Sequence, residues 1–550
     1  MFKNFKDQLY EILSPYAEKA FFDVTYPKEE FGHYATNIAF GLAKIKKEPI
    51  MKVAGELVSI LHKDKKAKKL FSEISVASPG FINFTLSFPA IHESLRNIIY
   101  HVLTFGKVNI GNGRKINIEF VSANPTGPLT MGNGRSAAYG DSLAKILEFS
   151  GFKVTREYFI NDVGNQTEIL GESVARRFMQ LNKVETDFPE EMYQGKYITD
   201  IARQMKKEGI YHGSLNNFEE LKKISKEYAI EKNIGSIEDT LKKFGLSFDV
   251  WFSERTLREE IYKTLDNLKS DGFTYESEGA VWFKAKDFGL EKDVVLKKSI
   301  GEKFTTYLAS DFAYARNKIS RNFDLNVYVL GADHHGDVQR LKAGIKAMGF
   351  DEEKFKFLLY QLVTLKKSGK SVRMSKRKGK FVALEDLMKE IPADVIRFFF
   401  LMKSLDKHID FDLELAKEES NKNPIFYIEY AYARIKSLLK MAKEKKMKWN
   451  KRPSVKTISA MTEKEAITIA VLMSRFPETI EETAKDFQVH RLAGYLYDLA
   501  SAVHSFYDKY RIIGEADEKL LDVRINLLSA AGEVIRQGLE LFGITAPDKM

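Results

Sequence analysis

A strand, a turn and a helix occupy residues 115–147, and this stretch constrains the fold more than any other part of the chain. Alternating apolar residues at Ile116, Ile118 and Phe120 predict a strand with one buried face. Two prolines and a glycine end that strand, and apolar residues at helical spacing begin near Ser136. The helix N-terminus, with its free N–H groups and positive dipole end, then favours an anion such as a nucleotide phosphate. The alternative is that the glycines of the turn only shape the backbone.

Further strands and helices alternate up to about residue 400, which predicts an open, mostly parallel sheet in an α/β domain. The predicted strands lie near 152–160, 248–254, 305–308 and 327–331, with a β-hairpin over 273–283 and a helix from about Val338. The run from Val327 to Gly331 is continuously apolar, as in a parallel strand buried on both faces. Ligands of such sheets bind beyond the carboxyl ends of the strands. Asn124, Asp311 and His334 fall at those ends, which favours functional roles for them.

Three other regions have different patterns. Residues 1–108 predict a small α+β unit, with two strands joined at Pro79-Gly80. Residues 167–245 are rich in lysine and glutamate and predict surface helices inserted between strands. From about Phe411 to the last residue, apolar positions keep helical spacing and no strand pattern recurs.

Composition limits the classes of function. The formal net charge is +10, which favours a polyanionic partner, and lysines cluster at 44–47 and 63–69. The chain has no cysteine, which excludes a disulfide, a thiol nucleophile and a thiolate zinc site. No apolar run is long enough to span a membrane and the first residues do not resemble a signal peptide, so we expect a cytoplasmic protein.

Four separated stretches carry a family resemblance. The string Asn124-Pro125-Thr126-Gly127-Pro128-Leu129, followed by Gly132 and Gly134-Arg135, resembles the ATP-binding turn of class I aminoacyl-tRNA synthetases, and of the arginyl enzymes in particular. The family's His-x-Gly-His reads Thr130-Met131-Gly132-Asn133 here, so both histidine positions are substituted. Residues 31–37 with 78–84 resemble the N-terminal domain of the bacterial-type arginyl enzymes, residues 370–380 resemble the mobile Lys-Met-Ser-Lys-Ser loop, and residues 423–431 resemble the entry to the anticodon-binding domain.

The resemblance implies three domains. Residues 1–108 would form an α+β domain that binds the tRNA elbow, although a purely structural packing domain is an alternative for this region. Residues 109–410 would form a Rossmann-like, doubly wound catalytic domain with a helical insertion at about 167–247 and a mobile loop at 366–382. Residues 411–550 would form an α-helical, anticodon-binding bundle.

The implied function is a ligase that attaches arginine to tRNA(Arg) through an arginyl-adenylate. Such a reaction needs positioned donors and cations, and a guanidinium needs carboxylates matching its planar fork. The predicted catalytic residues are Thr130, Asn133, Arg373 and Lys376; the ATP-binding residues are Pro128, Gly132, Gly134, Met374 and Ser375; the arginine-binding residues are Asn124, Glu254, Tyr307, Asp311 and His334. For Glu254, the alternative is an ordinary salt bridge with Arg255 or Lys263.

The predicted ligands are ATP with Mg²⁺, L-arginine and tRNA(Arg). We expect no zinc, no other metal site in the protein and no membrane partner, and we expect a monomer. Two alternatives stay open: a class I synthetase for another amino acid, and an RNA-binding paralogue that has lost activity with the motif histidines. A cysteinyl enzyme is disfavoured because its zinc ligands are missing.

Overall fold

A computed structural model describes residues 3–298, 305–367, 370–371 and 382–550. The N-terminal part packs helices on one antiparallel sheet with strand order β1-β2-β4-β3. Its elements are α1 (Phe5–Leu13), β1 (Val24–Thr25), β2 (Tyr34–Thr36), α2 (Ile38–Lys46), α3 (Ile50–Leu61), α4 (Lys65–Leu70), β3 (Phe71–Ala77), β4 (Phe81–Leu86) and α5 (Phe88–His101). The predicted strand pair around Pro79-Gly80 is therefore confirmed as β3 and β4.

The central part contains a five-stranded parallel sheet with the order β12-β11-β5-β6-β7. Its elements up to the end of that sheet are β5 (Lys115–Glu119), α6 (Met131–Phe149), β6 (Lys153–Ile160), α7 (Asn165–Leu181), α8 (Lys196–Lys207), α9 (Phe218–Lys243), β7 (Val250–Ser253), α10 (Arg258–Ser270), β8 (Thr274–Ser277), β9 (Ala280–Phe283), β10 (Val294–Lys297), α11 (Tyr307–Ser320), β11 (Leu325–Gly331), α12 (His335–Ala347) and β12 (Phe355–Tyr360). Ile116 pairs with Leu325 on one side and with Val154 on the other. The strand order reverses at β5, which places a topological switch point between β5 and β11.

Helices make up almost all of the remaining described chain. Its elements are β13 (Val363–Lys367), β14 (Lys370–Ser371), α13 (Leu384–Glu390), α14 (Ala393–Leu401), β15 (Ile409–Asp412), α15 (Leu413–Lys417), α16 (Pro424–Glu444), α17 (Val455–Ile458), α18 (Lys464–Ser474), α19 (Phe476–Asp486), α20 (His490–Lys509) and α21 (Glu518–Leu541). One hydrophobic core continues from the N-terminal helices through α6 to the C-terminal helices. A second core surrounds α11, and a third lies within α7, α8 and α9.

The predicted fold class is confirmed, but one local prediction is wrong. The strand expected at 305–308 is the start of α11, since Thr306 is the residue before its first turn and its hydroxyl donates to Val295 O at 2.9 Å. The helix predicted from about Val338 is confirmed as α12, which begins at His335. The predicted change to a helical chain at about Phe411 is also confirmed: β15, which pairs in parallel with β13 through Phe411 and Leu365, ends at Asp412, and every later described element is a helix.

Candidate active site

The carboxyl ends of four parallel strands meet at one edge of the central sheet. Strands β5, β6, β7 and β11 are parallel, so the residues that follow them lie along the same edge. Residues 120–130 follow β5, residues 161–166 follow β6, Glu254 follows β7, and residues 332–337 follow β11. Five of the predicted site residues therefore lie along this edge: Asn124, Pro128, Thr130, Glu254 and His334.

Two carboxylates near this edge have no cationic side chain beside them within the described part of the chain. Glu254 is 3% exposed; it is hydrogen-bonded to Ser310, and its Oε2 atom has no hydrogen-bond partner within the described part of the chain. Asp311 is partly buried and follows Ser310 directly on α11. Among residues 3–298, 305–367, 370–371 and 382–550, neither carboxylate takes part in an ion pair. Burying an ionised carboxylate without a cationic partner raises the free energy of the folded protein, so this pair favours a cationic ligand.

The pKa values of the two carboxyl groups also favour a cationic ligand. Burial, and then the negative charge of Glu254, raise the pKa of Asp311 to about 8. Burial also raises the pKa of Glu254 to about 7, against a hydrogen bond from Ser310. A neighbouring cation would favour the ionised forms and lower both pKa values. Strongly perturbed carboxyl groups in a cleft are typical of functional sites.

The alternative that Glu254 forms an ordinary salt bridge with Arg255 is not supported. The Arg255 guanidinium donates instead to Glu227 at 2.6 Å and to the backbone oxygen of Asp162 at 3.1 Å. No contact between Lys263 and Glu254 occurs within ion-pair distance in the described structure. The carboxylate of Glu254 is therefore available to a ligand.

Tyr307 and Asp311 lie one helical turn apart at the start of α11, not across a strand end as the sequence suggested. Tyr307 is 53% exposed and its ring lies beside Gly164. His334 is exposed, and its Nδ1 atom lies 3.2 Å from Asp337 Oδ2. His334 thus follows β11 as predicted, and its imidazole ring contacts Asp337. Its contact with arginine stays a prediction.

A buried ionic network fixes α11 to the sheet, and no sequence pattern predicted it. The Lys318 side chain is fully buried, and its ammonium donates to Asn117 at 2.8 Å and to Glu119 at 2.9 Å on β5. Arg321 donates to Glu157 on β6 at 2.9 Å. Because Lys318 is two turns from Asp311 on the same helix face, this network helps to fix the position of Asp311.

Asn124 is held at both ends of its amide group. Its Nδ2 donates to Gln166 Oε1 at 2.7 Å, and its Oδ1 accepts from Asn161 Nδ2 at 2.8 Å. The amide orientation is thereby fixed, and one N–H and one lone pair stay available for a ligand. Asn161 and Gln166 were not among the predicted site residues; their position after the neighbouring strand was the available signal.

The turn before α6 is built by the two residues that replace the family's histidines. Thr130 is the N-cap, and Asn133 Oδ1 accepts from the Thr130 backbone N–H at 2.9 Å and from its hydroxyl at 2.8 Å. The Thr130 hydroxyl in turn accepts from the Asn133 backbone N–H at 3.4 Å. This capping box uses the Thr130 hydroxyl and leaves the Nδ2 donors of Asn133 available.

The two glycines of the turn differ in their surroundings. A Cβ atom on Gly132 would meet only the Thr130 hydroxyl, at 3.7 Å, so the space above it is open. A Cβ on Gly134 would lie 2.8 Å from Leu384 and 3.1 Å from Phe400, so Gly134 lets α6 approach α13 and α14. Pro128 is partly exposed beside the turn. Four further predicted residues lie outside the described chain: Arg373, Met374, Ser375 and Lys376.

The described residues contain no cluster of three or more histidine or acidic side chains arranged to bind a metal ion. No described helix is long and apolar enough to cross a membrane.

Three family models match separate parts of the chain. The family described as tRNA synthetases class I (R), catalytic domain, matches residues 94–399. An arginyl tRNA synthetase N terminal domain matches residues 2–86, and a DALR anticodon binding domain matches residues 428–550. The chain belongs to the arginyl-tRNA synthetase family.

Individual relatives cover nearly the whole chain. The arginine–tRNA ligase of Oleidesulfovibrio alaskensis is 42% identical over 95% of both chains. That of Caldanaerobacter subterraneus is 42% identical over 96% of this chain and 93% of its own. The arginyl-tRNA synthetases of Thermus thermophilus (TM-score 0.76, 21% identity, 99% of both chains) and Plasmodium falciparum (TM-score 0.74, 20% identity, 99% and 98%) share the fold.

Membership of the family confirms the predicted family, the fold class and the function of a class I ligase for arginine and tRNA. Of the two alternatives, a class I synthetase for another amino acid is not supported, because the catalytic-domain match is to the arginyl family.

Proposed function

We propose that this chain makes arginyl-adenylate at the sheet edge and then transfers arginine to tRNA(Arg). The arginine carboxylate attacks the α-phosphorus of ATP, and the bond to the bridging oxygen of the β-phosphate breaks, so pyrophosphate leaves. A terminal ribose hydroxyl of the tRNA then attacks the activated carbonyl and AMP leaves. The observation that carries the proposal is the uncompensated pair of carboxylates at Glu254 and Asp311.

The arginine side chain is assigned to that acidic pair. A guanidinium is permanently charged and offers paired N–H donors that match carboxylates. Its five donors could bond to both carboxylates at once, which satisfies the free Oε2 of Glu254. Tyr307, half exposed one turn from Asp311, supplies an aromatic wall, on which a guanidinium stacks favourably. His334 is assigned to the rim of the same pocket.

The other end of arginine is assigned to Asn124. Its amide keeps one N–H and one lone pair after binding Asn161 and Gln166. These can bond to the α-carboxylate and α-ammonium of the amino acid. Because the amide cannot rotate without losing two hydrogen bonds, Asn124 is preorganised for this contact.

The nucleotide is assigned to the turn before α6. The N-terminus of this 19-residue helix carries a positive partial charge, and the open space above Gly132 lets phosphate approach the backbone. Asn133 donates through Nδ2 to the oxygens that gain charge, while Thr130 holds Asn133 in place. Pro128 and Gly134 shape the turn. Arg373, Met374, Ser375 and Lys376 are assigned to the same phosphates by the family resemblance, and ATP enters as its magnesium complex.

The domain roles follow the family resemblance. Residues 1–108 are assigned to the tRNA elbow, residues 109–410 to catalysis, and residues 411–550 to the anticodon. The net charge of +10 supports a polyanionic ligand. We propose a cytoplasmic monomer, which sedimentation at several concentrations would test.

Arginine-dependent exchange of pyrophosphate into ATP tests the function directly. We expect exchange with arginine and not with lysine or citrulline, because a single point charge or a neutral ureido group fits the acidic pair poorly. Assays with and without tRNA(Arg) show whether activation requires the tRNA. Exchange driven by another amino acid would contradict the arginine assignment, and tight tRNA binding without any exchange would indicate an inactive RNA-binding paralogue.

A further inference from the structure

The loop that carries Asn124 has an unusual backbone. Val121 and Ser122 have φ angles of 68° and 36°, a left-handed conformation that a β-branched residue rarely adopts. Such a conformation persists only where the surroundings hold it. Here the Val121 N–H donates to Ser136 Oγ at 3.0 Å, and Ser122 Oγ accepts from the Phe159 N–H at 3.1 Å. The loop is thus shaped by its contacts rather than by its own preferences.

Two of its carbonyl groups are held by the helical insertion. The Asn233 Nδ2 group on α9 donates to Pro125 O at 2.8 Å, and the Tyr197 hydroxyl on α8 donates to Thr126 O at 2.6 Å. Asn233 is 5% exposed and Thr126 is 2% exposed, so water is a poor substitute for either donor. The two consecutive carbonyl groups of Pro125 and Thr126 therefore depend on the insertion.

The Tyr197 ring fits a slot made by two glycines. A Cβ atom on Gly127 would lie 2.9 Å from the ring, and a Cβ on Gly195 would lie 2.3 Å from it. The ring can therefore approach the loop closely only because both positions lack a side chain. The sequence suggested an insertion on the surface, whereas this edge of it is packed against the active-site loop.

We propose that Tyr197 and Asn233 are positioning residues for adenylate formation. By holding the carbonyls of Pro125 and Thr126, they set the position of Asn124 on one side and of the nucleotide turn at Thr130–Asn133 on the other. The helical insertion is then a structural part of the amino-acid and ATP sites. This proposal rests on the site assignments made above for Asn124 and the turn.

The test compares Tyr197→Phe with Tyr211→Phe. The Tyr211 hydroxyl donates to Ser214 O at 2.7 Å within the same insertion, away from the loop, so its removal is a matched control. We expect Tyr197→Phe to lower kcat/KM for arginine in pyrophosphate exchange about tenfold, on the scale of one lost hydrogen bond, through both a lower kcat and a higher KM. Asn233→Leu should have a similar or larger effect. Filter binding should show the same tRNA affinity for all variants.

Thermal unfolding distinguishes a local effect on the active site from a general loss of stability in a variant. Tyr197→Phe keeps its ring in the glycine slot, so its unfolding midpoint should match that of Tyr211→Phe. The proposal is overturned if Tyr197→Phe exchanges pyrophosphate like the control, or if its activity falls only in proportion to a lost folded fraction. If the unaltered chain shows no arginine-dependent exchange, the proposed function itself fails, which is a different result.

Discussion

Replacement of Asp311 by asparagine removes one of the two carboxylates to which the arginine side chain is assigned. The amide keeps the size of the side chain but cannot neutralise a guanidinium, and its NH₂ group competes with the ligand's donors. Glu254, with its free Oε2, would be left to hold the cation alone. We therefore expect weaker arginine binding with little change in ATP binding.

The size of the effect follows from two opposing contributions. Breaking a buried ion pair by removing one partner costs about 3–5 kcal/mol. The unaltered protein must first ionise Asp311, whose pKa is about 8, and at neutral pH this offsets about 1.4 kcal/mol of the gain. The net loss is about 2–4 kcal/mol, which corresponds to a rise of about 30- to 1000-fold in the KM for arginine.

Steady-state pyrophosphate exchange at saturating ATP and tRNA(Arg) measures this KM. The pH dependence gives a second readout, because arginine binds the ionised carboxylates and therefore releases protons. Arginine affinity of the unaltered protein should rise as the pH increases through the pKa values of about 7 for Glu254 and about 8 for Asp311. Asp311→Asn should lose the phase near pH 8 and keep the phase near pH 7.

Asp337→Asn is the matched control. Asp337 lies close enough to raise the pKa of Asp311, but its carboxylate is already paired with Arg340 at 2.7 Å. Its replacement should change the KM for arginine only a few-fold. Asp311→Asn would refute the reasoning if its KM stayed within the range of that control while the variant remained folded.

Three further outcomes follow from the same geometry. First, the unfolding free energy of the arginine-free protein should fall as the pH rises from about 5 to 8, because Glu254 and Asp311 bind protons more tightly in the folded protein than in the unfolded chain. The rise in the pKa of Glu254 from 4.5 to about 7 should alone account for about 3 kcal/mol of this fall. Urea titrations at several pH values measure this, and a flat profile would contradict it. Second, Thr130→Ala with Asn133→Ala should slow adenylate formation by about 10²-fold or more in single-turnover assays; a small change would mean that the capping box is only structural. Third, tRNA affinity should fall steeply with salt, as a log–log plot from filter binding would show, and a shallow slope would argue against a basic RNA-binding surface.

The fold was predictable where local patterns agree with long-range packing. The alternation around Ile118, the uninterrupted run at Val327–Gly331 and the turn at Pro79-Gly80 each predicted the observed strands. These signals depend on burial and turn chemistry, which neighbouring residues encode. The strand predicted over Thr305–Leu308 was wrong. Two threonines favour a strand there, but Thr306 directly precedes α11, whose residues Ala309 and Ala313 favour a helix.

The residues that support the site were much less predictable. The carboxylates could be proposed because the chemistry of a guanidinium demands them. Lys318, Asn233 and Tyr197 act on residues 199, 108 and 71 positions away along the chain, respectively. No spacing rule connects such pairs, so only the three-dimensional structure brings them together.

The acidic pair also links stability to function. In the arginine-free protein, burial of Glu254 and Asp311 disfavours their ionised forms, and each pKa rises accordingly. A guanidinium stabilises the ionised forms, and its interaction with them must exceed the free-energy cost of ionising the pair. The Lys318 network anchors α11, and with it Asp311, through two acceptors on β5. A ligand of the same shape but without charge would not stabilise the ionised carboxylates and would bind the pair weakly. Discrimination against neutral isosteres of arginine therefore follows from the burial of the two carboxyl groups before the substrate binds.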